Sequence, residues 1–240
     1  YLPVYGREVS AALRAPAARG DLPGLIEAAQ RGAALPLARA DYRVWLRESG
    51  LDAAEIPGLE GALDLQDARS ITRAWQLFLL ARSIAEEQLS PFSDEEREWL
   101  RGAGEMLFFG EEPGSEYAYF THDTSVALKL FRLAARVDLS ELARGQRCLA
   151  LAVELIQQRR GSLARVRRGF VHEESGLRLV IAGGGRDLHE MDADFLIDCG
   201  GDDLYRNNAG GTGGVRPAAF CVDLGGRDVY ENPFGAQGAG

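Results

Sequence analysis

Six aspartates carry the most suggestive chemistry in this sequence: Asp187, Asp198, Asp202, Asp203, Asp223 and Asp228. All lie near glycine pairs or triplets, in segments that resemble one another. Leu179-Val180-Ile181-Ala182-Gly183-Gly184-Gly185-Arg186-Asp187-Leu188-His189 is the first. Phe195-Leu196-Ile197-Asp198-Cys199-Gly200-Gly201-Asp202-Asp203-Leu204-Tyr205 is the second, and Phe220-Cys221-Val222-Asp223-Leu224-Gly225-Gly226-Arg227-Asp228-Val229-Tyr230 the third. The shared pattern is apolar-x-apolar-x-x-Gly-Gly-x-Asp-apolar-[Tyr/His], offset by 16 residues and then by 25. If the copies stack, Asp187, Asp203 and Asp228 form a column, with Asp198 and Asp223 beside it. Like charges one strand apart repel unless something compensates. A hard cation with oxygen ligands, calcium, is one compensator. The other is local: each carboxylate accepts hydrogen bonds from N–H groups at the glycine corner.

Positioning those carboxylates requires short strands and sharp turns. The apolar residues alternate in each copy, as in a strand with one buried face. Gly-Gly then turns the chain, because glycine reaches positive φ without steric cost. A tandem unit of this size predicts a parallel β-solenoid (β-helix), with like residues roughly 4.8 Å apart. The copies resemble the Gly/Asp-rich repeats of secreted calcium-binding proteins of the RTX type, whose pattern is G-G-x-G-x-D-x-U-x. Gly200-Gly201-Asp202-Asp203-Leu204 and Gly225-Gly226-Arg227-Asp228-Val229 match its Gly-Gly opening and Asp-x-apolar order. They lack its third glycine and nine-residue period. The resemblance covers about the last quarter of the chain, and it implies calcium at the six aspartates.

Other candidates are sparser. His122-Asp123, at an expected helix start, is a candidate catalytic pair. His189 takes the slot that Tyr205 and Tyr230 fill in the other copies, which points to a structural role; it is also a weak catalytic candidate. His189-Glu190-Met191-Asp192 lacks the HExxH spacing of a helical zinc site. His172-Glu173-Glu174 reads as a polar hairpin turn. Neither Gly183-Gly184-Gly185 nor Gly210-Gly211-Thr212-Gly213-Gly214 leads into a helical pattern, so neither is a convincing phosphate cradle. Ser162 and Ser175 lack a nucleophile elbow. The three cysteines make no disulfide framework; a Cys199–Cys221 bridge is not implied.

The region before the repeats reads as helical. Arg7–Arg14, Leu25–Gln30 and Asp41–Glu48 are short candidates between prolines and glycines. From Asp67 to Leu89 the apolar residues recur at helical spacing, which places Trp75 and Phe78 in an α core. Ser93 and Glu96 form a capping box. Asp123 or Thr124 caps one further helix and Asp138 or Ser140 another, which Gly161 ends. The division expected is a helical domain over 1–160 and a repeat domain over 161–240, joined without a Pro/Ser-rich linker and so sharing one core.

A net charge of −9 and a pI near 5.0 argue against nucleic acid and against an anionic membrane surface. Arginine outnumbers the single lysine, Lys129, as GC-rich bacterial codon usage would give. No apolar run is long enough to span a bilayer. The chain opens on Tyr1 without a visible signal peptide, as a processed chain or a piece of a longer one would. Together these features predict a structural or interaction protein of the bacterial envelope or exterior, its repeats stabilised by calcium. The alternative is the N-terminal chain of a processed hydrolase or carbohydrate-active enzyme. In that case a second polypeptide, released by autoproteolysis after Gly240 and headed by Ser, Thr or Cys, continues the repeat. End-to-end self-association would also cover the last copy.

Overall fold

A computed structural model describes residues 42–100, 129, 132–133, 135–211 and 216–231. The expected helices at Arg7–Arg14 and Leu25–Gln30 lie outside them, as does the Asp123 or Thr124 cap of a further helix, of which Lys129, Arg132 and Leu133 are described and helical. Two long helices dominate. Helix α1 (Leu65–Leu89) starts where Asp64 accepts the amides of Gln66 and Asp67, and Pro91 follows its end. Helix α2 (Leu139–Gln157) starts the same way, with Asp138 accepting from Ser140 and Glu141. The Ser93–Glu96 capping box closes reciprocally, at 2.9 and 3.2 Å. Gly161 does not end α2; it lies within a short helical turn, Arg160–Leu163.

Seven strands follow among the described residues. Sheet A has the order β1 (Phe170–Glu174), β2 (Leu177–Ile181), β4 (Phe195–Asp198), β6 (Phe220–Asp223). Sheet B has the order β3 (Leu188–His189), β5 (Leu204–Tyr205), β7 (Val229–Tyr230). Each repeat copy thus gives one strand to each sheet. The copies lie parallel and in register: Leu179 pairs with Phe195 and Phe195 with Phe220, while Leu188, Leu204 and Val229 align in sheet B. The β1–β2 turn is only Ser175-Gly176, both at positive φ (52° and 78°), so His172, Glu173 and Glu174 belong to a strand and not to the turn.

The closed parallel β-solenoid expected from the repeat is not what forms. The protein is a helical region followed by a small mixed sheet and a parallel sheet. Three features account for the difference. β1 pairs antiparallel with β2, which makes sheet A mixed. Each copy supplies only two strands, and no strand lies between Tyr205 and Phe220 among the described residues. The apolar face that a solenoid would enclose by itself is instead covered by helices. Leu179, Ile181, Phe195, Ile197, Phe220 and Val222 share one buried cluster with Ile71, Trp75, Phe78 and Ile156 of α1 and α2. Phe195 lies edge-on to Trp75 (5.5 Å) and Phe78 (5.6 Å) and stacks on Phe220 at 4.2 Å. Trp75 and Phe78 therefore serve a core shared between helix and sheet, not a purely α core. Each such side chain contributes about 1.5–3 kcal/mol by leaving water.

Sheet A has a second buried face. Leu196 joins Ala193, Tyr205 and Ala209 in a smaller cluster, with Val180 and Cys221 packed against it. The layers are helices, sheet A, sheet B, which is why every residue of β4 is buried. Among the described residues no helix is long and apolar enough to cross a membrane.

Candidate functional site

The glycine corners fix the geometry of the aspartates. Gly201 and Gly226 lie at φ 149° and 159°, and a Cβ on Gly226 would overlap the carbonyl oxygen of Gly201. The corners therefore stack backbone on backbone, and Gly201 pairs with Gly226 as a parallel bridge. In this close stack the carboxylates find N–H donors. The Asp187 amide donates to Asp203 Oδ1 at 2.6 Å, and the Asp203 amide to Asp228 Oδ1 at 2.9 Å. The Arg227 amide donates to Asp202 at 3.1 Å. Asp198 and Asp223 each accept the amide two residues on, from Gly200 (3.0 Å) and Gly225 (2.8 Å). The last aspartate of copies two and three thus holds an amide of the copy before it.

Repulsion is not fully relieved. Asp203 is buried with Oδ2 unpartnered. Burial pushes its carboxyl up to about 6, against the pull of the Asp187 amide, and the charges of Asp198, Asp228 and Asp187 add to the rise. Burial also raises Asp223, with Asp228 adding to the effect. Even so, no three His, Cys, Asp or Glu side chains are placed to hold a metal ion among the described residues. The amide contacts support the capping role.

Asp198 is a fully buried anion with its acceptors in use. The His189 Nε2–H donates to Oδ2 at 2.7 Å and the Tyr205 hydroxyl to the same oxygen at 2.9 Å. Burial works to raise this carboxyl, but those donors and the Gly200 amide outweigh it and hold it below the usual range. Burial beside Asp198 pushes the Tyr205 hydroxyl far above its ordinary value. The rings form a column: His189 stacks on Tyr205 at 4.5 Å, and Tyr205 on Tyr230 at 4.5 Å.

Compared with known proteins, the chain matches no family model, no curated sequence and no solved structure. The site must be read from its own geometry.

Copy one departs from the other two at two linked positions of this network. Where they carry Asp198 with Tyr205 and Asp223 with Tyr230, copy one carries Ala182 with His189. Ala182 offers no carboxylate to the ring of its own copy, and His189 reaches to the Asp198 of copy two instead. Both residues line a cleft of about 430 Å³. Val180 and Leu196 form its apolar wall, and Arg167, Arg178 and Asn207 bring polar groups to it. Asn207 Nδ2 donates to the Met191 carbonyl, which fixes the amide's orientation and leaves a buried Oδ1 without a partner. Arg178 binds Glu173 through Nη1 while its Nε is unpartnered. With Nε2–H committed to Asp198, neutral His189 has its lone pair at Nδ1.

His122 and Asp123 lie outside the described residues. His189 and Asp187 line the cleft and His189 bonds to Asp198 buried behind it, while Asp202, Asp203, Asp223 and Asp228 lie at corners and rungs. Asn207 and Arg178 were not evident from the sequence, since neither occupies a repeat position. Cys148, Cys199 and Cys221 are free, with burial pushing each thiol up to about 12.

Proposed function

We propose that this chain is an interaction protein that holds its partner by adding one further copy of the repeat to the β6–β7 edge. One observation carries the reading. The register ladder runs through both sheets to a last copy whose Val229 and Tyr230 are 51% and 47% exposed, against 0% for Tyr205 one copy in. Tyr230 has one ring face stacked on Tyr205, and the relay of amides onto carboxylates calls for a further aspartate at the amide of Asp228. A strand of matching pattern would supply an apolar pair over Phe220 and Val222, a Gly-Gly corner and that aspartate. Such pairing takes affinity from main-chain hydrogen bonds and specificity from alternate side chains. The partner segment bears the repeat and is not a second identical copy: at the opposite end of sheet A β1 covers β2, so parallel head-to-tail stacking of identical copies would require displacing β1.

The test uses a synthetic peptide spanning Arg216–Glu231. It should bind with amide protection confined to residues 220–223 and 229–230. The same peptide with Gly226→Val should not bind, because its side chain would meet the carbonyl beneath. Protein association at high concentration without peptide would favour a second copy of the chain. No binding near 1 mM, about −4 kcal/mol, would refute the reading.

A hydrolytic role draws on a separate observation, His189 lining a cleft with buried Asp198 bonded behind it, where Nδ1 would act as general base on water. The cleft's lining residues include no Ser, Thr or Cys, so this reading has no protein hydroxyl or thiol nucleophile there.

A further inference from the structure

The two sheets differ in length at the end opposite β6 and β7. Sheet A continues past β2 to β1, whereas sheet B stops at β3 among the described residues. The cleft occupies the place where a fourth strand of sheet B would lie. Its floor is a continuous run of backbone, Asp187 to Met191, and Val171 and Val180 of sheet A wall it from behind. A volume of about 430 Å³ falls within the range of ligand sites, and five consecutive residues, Asp187 to Met191, run along it.

The edge is ready to pair. The carbonyls of Asp187 and His189 both accept from β5-side amides, of Leu204 at 3.0 Å and Arg206 at 2.8 Å. Alternation along a strand then aims the amides and carbonyls of Leu188 and Glu190 at the uncovered edge. Leu188 is 52% exposed there.

Side chains say what the fourth strand carries. The ring column Tyr230–Tyr205–His189 ends in the trough, which Ala182 also lines, so the next inward residue is aromatic. Arg178 and Asn207 stand at the Met191 end of the trough, and Arg167 at the Gly183 end. Arg167 has no acidic partner among the described residues, and Arg178, bound to Glu173 through Nη1, keeps an unpartnered Nε. Inward positions two residues to either side of the aromatic meet these cations. We propose that the trough binds an extended peptide of the form acidic-x-aromatic-x-acidic, paired with β3 as a fourth strand of sheet B. This site is distinct from the β6–β7 edge.

The probe is an acetylated, amidated heptapeptide, Ala-Asp-Val-Tyr-Val-Glu-Ala, added to the intact chain and followed by calorimetry and amide exchange. Saturable binding is expected, with new protection at Leu188 and Glu190. Tyr→Ala in the peptide, or Arg178→Glu in the protein, should each weaken it at least tenfold. Leu188→Pro removes an edge amide without touching the carbonyls that pair with β5, and should abolish binding while circular dichroism shows an intact fold. Protection at residues 220–223 and 229–230 instead would overturn this site while supporting the other edge. Binding that survives both Leu188→Pro and Arg178→Glu, or no binding at all, would also overturn it.

Discussion

Asp203 is the residue whose chemistry is least settled by its neighbours, and pH reads it out. Its folded value of about 6 stands above the usual 3.8. The folded state therefore binds its proton more tightly than the unfolded chain, and the contribution of this group is complete below about pH 4 and lost as pH rises through 6. Lowering pH from 7 to 5 should raise the melting temperature of the native protein. Asp203→Asn keeps an acceptor for the Asp187 amide and removes the charge. It should raise the melting temperature at pH 7 by about 2–4 °C, the shift that ~1 kcal/mol gives in a chain of this size, and flatten the curve between pH 5 and 7. Below pH 4 the helix caps Asp64 and Asp138 act in the opposite sense, since amide and hydroxyl donors hold both below the usual value. On the capping account, millimolar calcium leaves both melting temperatures unchanged at pH 7; a large rise in the native protein alone would restore the metal.

At the scale of elements, what could be read in advance was what is local. Asp138 and the Ser93–Glu96 box are short-range signals, for α2 and for the turn of helix after Pro91, and α1 follows from 3.6-residue periodicity. The repeat strands followed from period two and Gly-Gly. What was not legible depends on partners distant in sequence. Nothing in Phe170–Glu174 marks it as antiparallel to β2; only the tight Ser175-Gly176 turn hinted at a hairpin, and Glu173-Glu174 was read as part of that turn. Nothing in the alternation of Leu179 and Ile181 states whether their face meets another sheet or a helix. The solenoid expectation failed there, because Trp75 and Phe78 lie more than a hundred residues upstream of Phe195 and Phe220. For the site, His189 and the aspartates were visible through repetition. The cleft was not: Ala182 lines it in place of a carboxyl, and a missing group leaves no motif.

As a whole molecule, the protein has one main core made by α1, α2 and sheet A. Phe195→Ala removes a ring that touches both layers and should cost about 3–5 kcal/mol. The loss should appear in one coincident transition, in helical circular dichroism and in Trp75 fluorescence. Separate transitions for helices and sheets would contradict the shared core.

The hairpin that makes sheet A mixed also bears on the order in which the chain assembles. β1 and β2 are two residues apart, whereas β2–β4 pairing spans 16 residues and β4–β6 pairing 25. Hairpins close in microseconds, and non-local parallel pairing waits on larger loop closures. Folding of the strands should start at Ser175-Gly176 and advance one copy at a time, with β6 last. Val180→Ala should then slow refolding, while Val222→Ala should chiefly speed unfolding; equal effects on both rates would mean that the sheet has no such starting point.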